Sequence, residues 1–385
     1  MRGLRFGRAR RGRGGAMTGR LMLVLLMVSV CIGTSAQPAV GEASSIPGVS
    51  AAAALLMDYQ TGRVLYGYQA TKELPPASTT KIITALLGLE MGQAGEMVTV
   101  SPYAAGTDGT SLGLQQGLIF DLHDLIEGAL VNSGNDAAVA IGEHLAGNEN
   151  LFASLMTCKA LTIGALRSNF VNPNGLDSPG HYCTAYDLAL ITRYALNNPL
   201  FRQFVQTRED VIYESRTRTP VQLNNTNRLL WNTENREFRV IGVKTGTTSS
   251  AGQCLVAAAD RQGQLLVAVV LGSSDRYADI LKLLRYGYDQ CSWYKLPKDQ
   301  GMLSLAVDKK NRQSITVAPV ENICFAVAPQ DEPLLSKQVD IQGISSKSAP
   351  AGALVGRVGF YLGDHLIIET GLKTLTPITK KSILF

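Results

Sequence analysis

The chain has 385 residues, 45% of them hydrophobic and 17% charged, which is enough for one large hydrophobic domain and a smaller second one. Its net charge of +5 is misleading, because Arg2, Arg5, Arg8, Arg10, Arg11, Arg13 and Arg20 precede every acidic side chain and leave 29 basic against 31 acidic residues from Gln37 onward. No basic surplus remains to attract nucleic acid, so that class of partner is excluded.

Leu21 to Val30 is an unbroken apolar run behind the arginine cluster, and Thr34-Ser35-Ala36 has the small residues of a cleavage site. Residues 1–36 are therefore expected to be a signal peptide, with either Met1 or Met17 as the start and an exported, extracytoplasmic protein as the product. An uncleaved membrane anchor is the competing reading, but the run is shorter than the roughly 20 residues that span a bilayer. Residues 37–47, rich in Ala, Ser, Pro and Gly, form a linker. With Cys31 lost in the signal, Cys158, Cys183, Cys254, Cys291 and Cys324 are too widely spaced for a zinc site or a disulfide framework. The histidines His123, His144, His181 and His365 form no H-E-x-x-H pattern, so no metal and no cofactor is expected.

Leu55-Leu56-Met57, a turn at Gln60-Thr61-Gly62 and the run Arg63 to Tyr66 predict a β-hairpin. Pro75-Pro76-Ala77 ends the extended structure. From Ser78, the helical spacing of Ile82, Ile83, Leu86, Leu87 and Leu89 leaves no wide polar face, which predicts a buried helix. Helices are expected over Leu122 to Leu130 and Ala137 to Leu145, broken at Asn132 to Asn135, and again over Ala185 to Leu196. Strands follow at Ile241 to Lys244, Gln253 to Ala259 and Leu265 to Leu271, and a helix at Tyr277 to Tyr288. Strands at both ends with helices between predict an α+β fold, an antiparallel sheet flanked by helices with an inserted helical subdomain, over residues 48–294. Short alternating runs after Leu296, with a tight turn at Leu362-Gly363-Asp364, predict a small all-β, sandwich-like domain over 295–372 and a short tail, 373–385.

Three polar motifs punctuate this apolar chain, each occurring once: Ser78-Thr79-Thr80-Lys81, Ser133-Gly134-Asn135 and Lys244-Thr245-Gly246. Ser78 and Lys81, three apart, share a helix face, which makes Ser78 the candidate nucleophile and Lys81 its base. A lysine serves as a base only when neutral, a state favoured by burial and by a nearby cation, for which Lys244 is the candidate. Ser133 is placed to relay a proton to the departing amine, and Asn135 to hold Lys81 and the substrate amide. Lys244, Thr245 and Thr247 set a cation and hydroxyls beside Gly246, whose missing side chain lets a substrate backbone lie along the strand. The N–H groups of Ser78 and Thr247 are the candidate oxyanion hole.

Two rival signals are weaker. Ser292-Trp293-Tyr294-Lys295 repeats the serine–lysine spacing without an apolar helix behind it. Gly109-Thr110-Ser111-Leu112-Gly113 matches a nucleophile elbow, but lacks the preceding apolar strand and the following helix that an elbow needs.

Pro76-Ala77-Ser78 with Lys81, Ser133 to Ala138, Phe170-Val171-Asn172-Pro173-Asn174-Gly175-Leu176, and Lys244 to Thr248 with Ala251-Gly252 resemble the serine-type D-Ala-D-Ala carboxypeptidases of the peptidase S11 type, the low-molecular-weight penicillin-binding proteins. The resemblance runs from about Ala51 to Leu372. It implies an acyl-enzyme on Ser78, release of the terminal D-alanine from peptidoglycan pentapeptide stems, and acylation by β-lactams. It further implies that an arginine, matched here by Arg276, binds the substrate carboxylate, and that the β-domain stands the enzyme off the membrane. Members often end in an amphipathic membrane-binding helix; here only the basic-apolar end Lys380-Lys381 and Ile383-Leu384-Phe385 is left to associate with a membrane surface. A serine β-lactamase or a penicillin- or wall-binding protein without turnover are the alternatives. The class A β-lactamase reading requires a deacylating glutamate that Asn169 to Asp177 does not contain.

Overall fold

In the computed structural model the described residues are 47–231, 237–308, 313–342 and 349–377. The expected signal peptide, the linker up to residue 46 and the end of the tail lie outside them. Strand β1 (Ala53–Asp58) is buried at every position, because both of its faces are covered. Ala53, Leu55 and Met57 enter one hydrophobic cluster, and Ala54 and Leu56 enter another. That is the period-two alternation of a strand sandwiched between two layers. Strand β2 (Val64–Tyr68) pairs with it as the predicted hairpin.

A 3₁₀ turn, Ala77–Thr80, leads into helix α1 (Lys81–Met91), which is buried from Lys81 to Gly88. The predicted helix thus begins one turn later than Ser78. Thr79 gives both its N–H and its hydroxyl to the Pro76 carbonyl, and this tightens the entry. Around α1 lie strand β3 (Met97–Thr99), the single turn α2 (Pro102–Ala105), strand β4 (Ile119–Asp121) and helices α3 (Leu122–Val131), α4 (Asn135–Ala146) and α5 (Glu149–Ile163). Helices α6 (Ala185–Ala195) and α7 (Pro199–Gln206) and the hairpin β5 (Glu209–Tyr213) with β6 (Pro220–Asn224) complete this insertion. Helix α5 has no clear amphipathic signature in the sequence, because Leu151, Leu155 and Leu161 are exposed and blur the stripe formed by Phe152, Met156 and Ala160.

The chain then returns to the sheet through β7 (Arg239–Thr248), β8 (Gly252–Arg261) and β9 (Gln264–Ser273), giving the antiparallel order β2-β1-β9-β8-β7. Helix α8 (Arg276–Asp289) covers the face opposite α1 through Ile280, Leu283 and Leu284. Strand β10 (Ser292–Leu296) leaves this layer and pairs further on; Ser292 and Lys295 therefore lie on a strand, not at a helix start.

Beyond it, β11 (Leu303–Asp308), β12 (Gln313–Pro319), β13 (Ile323–Val327), β14 (Leu335–Ile341), β15 (Leu354–Leu362) and β16 (His365–Thr374) are all strands. They form a five-stranded sheet, β11-β12-β16-β15-β14, and the pair β10-β13, around a core that includes Val317, Phe325, Val358 and Leu372. At the junction with the first sheet the Ala326 N–H donates to Asp58 Oδ1 at 3.0 Å, and the Gln60 amide donates to the Asn322 carbonyl at 3.0 Å.

Candidate active site

Ser78 and Lys81 sit in one turn, with Lys81 Nζ 2.9 Å from Ser78 Oγ. The same amine lies 2.6 Å from Asn135 Oδ1 and 2.8 Å from the Asn174 carbonyl. Both of the latter atoms can only accept. A neutral amine has two N–H groups for them and a lone pair left for the Ser78 hydroxyl proton, which is the state a base requires. Burial of Lys81, reinforced by the charge of Lys244, drives its pKa well below the usual lysine value, while Asp136 opposes the shift. Asn135 is fixed by its other end, since its Nδ2 donates to the Asp108 carbonyl at 2.6 Å, which leaves Oδ1 facing Lys81.

The second motif lies where α3 stops and α4 starts. Ser133 has left-handed backbone (φ 65°) and is buried, and Asn135 opens α4. The carboxylate of Asp136 organises the approach to this bend. It accepts from the Ser111 hydroxyl at 2.6 Å and from the N–H groups of Leu112 and Leu114 at 3.0 Å. Ser111 is thereby committed to a structural hydrogen bond, which removes the elbow reading of residues 109–113.

The third motif is on β7. Gly246 lies so close to the nucleophile turn that a Cβ there would be 2.9 Å from the Ser78 nitrogen and 3.1 Å from the Pro76 carbonyl oxygen. Only glycine permits that approach. On the other side, Gly175 (φ +85°) presses on Ala77, where a Cβ would fall 2.0 Å from the Ala77 oxygen. Ala77 itself is left-handed (φ 49°), a conformation costing of order 1 kcal/mol that these two contacts hold in place.

Lys244 is fully buried, and its amine donates to the Thr245 carbonyl at 3.3 Å. Burial, with the charge of Arg276, lowers its pKa to about 7. Thr245 exchanges a 2.6 Å hydroxyl hydrogen bond with Thr226. Arg276 opens α8 and reaches back to β7, donating to the Gly246 carbonyl at 2.7 Å, the Cys254 carbonyl at 3.1 Å and Thr247 Oγ1 at 2.8 Å. Of the residues singled out in the sequence, Ser78, Lys81 and Asn135 are joined by hydrogen bonds. Gly246 lies against Ser78, Lys244 acts on Lys81 through its charge, and Arg276 is tied to Thr247.

Several groups here carry no signature in the sequence. The Asn174 and Asp108 carbonyls act through the backbone. Asp177 accepts from Thr248 Oγ1 at 2.6 Å and from the Ser250 N–H at 3.2 Å, latching the loop after Phe170 to the end of β7. His181 takes the Val171 N–H on Nδ1, so Nε2 carries the proton donated to Thr80 Oγ1 at 3.0 Å; burial lowers its pKa to about 4. The block from Phe170 to Leu176, already singled out by its resemblance, is the part of the sequence that marks this loop.

A serine bonded to a buried lysine, beside a glycine-bearing edge strand on an antiparallel sheet with helices on both faces, defines a serine acyl-transfer enzyme of the transpeptidase-like fold. Residues 40–275 match the family model of D-alanyl-D-alanine carboxypeptidase, Peptidase_S11. The chain is 32% identical to the D-alanyl-D-alanine carboxypeptidase DacF of Bacillus subtilis over 343 residues, 86% of each chain. Among solved structures, that of penicillin binding protein 5 from Haemophilus influenzae is similar with a TM-score of 0.64 at 25% identity, covering 86% of this chain and 98% of the other. The D-alanyl-D-alanine carboxypeptidase DacD from Francisella tularensis is similar with a TM-score of 0.63 at 26% identity, covering 90% and 98%. The chain belongs to the S11 family of D-alanyl-D-alanine carboxypeptidases and is a serine-type enzyme of that class.

Proposed function

We propose that Ser78 is the nucleophile that removes the terminal D-alanine from peptidoglycan pentapeptide stems and that β-lactams acylate the same oxygen. The observation that carries this is the hydrogen-bond set of Lys81, whose two fixed acceptors leave its lone pair for the Ser78 proton. As the Ser78 oxygen bonds to the carbonyl carbon of the penultimate D-alanine, its proton passes to Lys81. The developing oxyanion takes hydrogen bonds from the Ser78 and Thr247 N–H groups, a role supported by the close approach at Gly246. The tetrahedral intermediate then expels the terminal D-alanine nitrogen, which receives a proton through Ser133. Water attacks the ester, Lys81 takes the water's proton, and the tetrapeptide leaves with Ser78 restored.

Lys244, Thr245, Thr247 and Arg276 bind the terminal carboxylate in this reading, while Gly246 lets the peptide backbone approach. Arg276 fits the task through its hold on Thr247, which keeps a guanidinium at the strand edge. The serine β-lactamase alternative is disfavoured by the family membership and by the absence of a glutamate in Phe170 to Asp177. We further propose that residues 1–36 export the protein, that 48–294 form the catalytic domain and 295–372 a β-domain that positions it, and that the tail associates with the membrane surface.

The test incubates the purified protein with a D-Ala-D-Ala pentapeptide and, separately, with a penicillin. Free D-alanine with slow release of the penicilloyl group supports the proposal. Rapid penicillin hydrolysis, or stable acylation with no D-alanine, overturns it.

A further inference from the structure

His181 is buried, takes no part in the reaction steps above, and has both ring nitrogens engaged. Nδ1 accepts the Val171 N–H at 3.3 Å, and Nε2 lies 3.0 Å from Thr80 Oγ1. A neutral imidazole that accepts on Nδ1 carries its proton on Nε2, so the Thr80 oxygen accepts. Burial keeps the ring neutral, lowering its pKa to about 4 against the opposing charge of Asp177. Phe170 packs edge-on against the imidazole, with ring centroids 5.7 Å apart and planes at 90°, which fixes the ring's orientation.

Both ends of this bridge belong to the supports of the reaction centre. Thr80 directly precedes Lys81 in the nucleophile turn, and Val171 stands three residues before Asn174, whose carbonyl accepts from Lys81. The loop between them is braced internally. Asn172 Oδ1 accepts from the Gly175 N–H at 2.7 Å, and its Nδ2 donates to the Leu176 carbonyl at 2.9 Å, so a shift at Val171 carries to Asn174. On the α1 side, Lys81 Nζ donates to the Asn174 carbonyl at 2.8 Å and Thr84 Oγ1 to the Pro173 carbonyl at 2.6 Å. In those two contacts the loop offers a carbonyl; the imidazole instead takes a loop N–H and passes the hydrogen-bond direction on to Thr80.

Resting on the reading of Ser78 as nucleophile and Lys81 as its base, we propose that His181 is a positioning residue for acylation: its imidazole joins the nucleophile turn to the loop, which keeps the Asn174 carbonyl on Lys81 and the amine's lone pair on Ser78. Without the bridge the loop shifts and the Asn174 carbonyl leaves Lys81. The freed N–H then turns toward Ser78 Oγ in place of the lone pair, and the serine keeps its proton. Substrate binding is spared, because Thr245 and Arg276 are held by Thr226, Gly246 and Thr247.

The experiment resolves penicillin acylation by stopped flow into a binding constant and a first-order rate constant. Thr80→Val keeps the shape of the side chain and removes the acceptor; it should lower the rate constant by roughly tenfold or more and leave the binding constant within about twofold of wild type. Thr80→Ser keeps the hydroxyl and should stay within about threefold of wild type in both. His181→Leu should repeat the loss seen in Thr80→Val, and the double variant should be slower than His181→Leu by no more than about twofold, since both changes break one bridge. A rate constant unchanged in Thr80→Val, a loss confined to the binding constant, or losses that multiply in the double variant overturns the role. Nitrogen NMR of the wild-type protein needs no variant: at pH 7 the ring should be neutral with its proton on Nε2, and a proton on Nδ1 overturns the bridge even where the variants fail to fold. No acylation of the wild-type protein overturns the nucleophile reading and this role together, whereas wild-type acylation that is indifferent to Thr80→Val overturns this role alone.

Discussion

In the reaction we propose, the proton on Lys81 decides whether Ser78 is a nucleophile, and the surroundings of that amine are fixed by atoms that cannot change character. The Asn174 carbonyl accepts and never donates, and Asn135 is locked by Asp108. In the same proposal Lys244 has the opposite duty, since it must stay charged to repel a proton from Lys81 and to attract a carboxylate. The rate of acylation should therefore rise from acid pH as Lys81 loses its proton and bend down as Lys244, at about 7, loses its charge. Lys244→Arg, whose guanidinium does not deprotonate in this range, should move the falling limb to alkaline pH in a kcat/KM profile. A falling limb unchanged in that variant would contradict the assignment. Ser111→Ala removes one hydrogen bond to Asp136 and should cost about 1 kcal/mol of stability in urea unfolding while labelled penicillin still attaches.

The candidate site was legible because chemistry needs particular side chains: Ser78, Lys81 and Asn135, marked by type and spacing, are joined by hydrogen bonds, and Lys244 acts on Lys81 through its charge. Backbone acceptors announce nothing. A carbonyl at Asn174 or Asp108 is available whatever residue stands there, so only coordinates reveal it. Asp177 was hidden for another reason: it lies 71 positions from Thr248, and the latch exists only once the loop and β7 are side by side.

Among the elements, the junction of β7 with the turn before α1 tolerates the least change. Gly246→Ala would set a methyl carbon 2.9 Å from the Ser78 nitrogen, backbone that cannot swing away. Displacement of β7 should reduce penicillin acylation by about a hundredfold or more, in line with the loss of an oxyanion donor, in stopped-flow or gel-shift labelling. Near-normal acylation would show that β7 does not contribute to the oxyanion site. The buried helix and the three sheet-forming strands were readable from their unbroken apolar runs. The hairpin β5-β6 was not, because Glu209 and Asp210 give it a polar texture and its stability comes from elsewhere. Glu214, just after β5, accepts from the N–H groups of Ile119, Arg216 and Thr217, which lowers its pKa to about 2 and ties the hairpin to β4.

Over the whole molecule, the central sheet divides the apolar residues of each strand between two layers, and Asp58 at the end of β1 carries the link to β13. Burial raises the Asp58 carboxyl to about 6 from 3.8, despite hydrogen bonds from Thr61 and Ala326. A raised carboxyl favours the protonated folded state, so its contribution to stability is undiminished below pH 3.8 and declines as pH rises to about 6. The decline amounts to about 3 kcal/mol in total. Asp58→Asn keeps an acceptor and abolishes that loss; its stability relative to wild type should grow between pH 4 and pH 6.5 in urea unfolding. A pH-independent difference would contradict this. The change of texture after Leu296 made the β-region readable, yet the strand that crosses the boundary, β10, pairs with β13 rather than with any strand of the first sheet. Such a pairing between distant segments has no local pattern to betray it.

The central claim is that one oxygen, Ser78 Oγ, becomes the ester. The direct measurement is peptide mapping by mass spectrometry of the protein after reaction with a penicillin. A single penicilloyl adduct on the peptide bearing Ser78, absent in Ser78→Ala, is the predicted result. An adduct on Ser111, Ser133 or Ser292, or one that survives Ser78→Ala, would contradict the account.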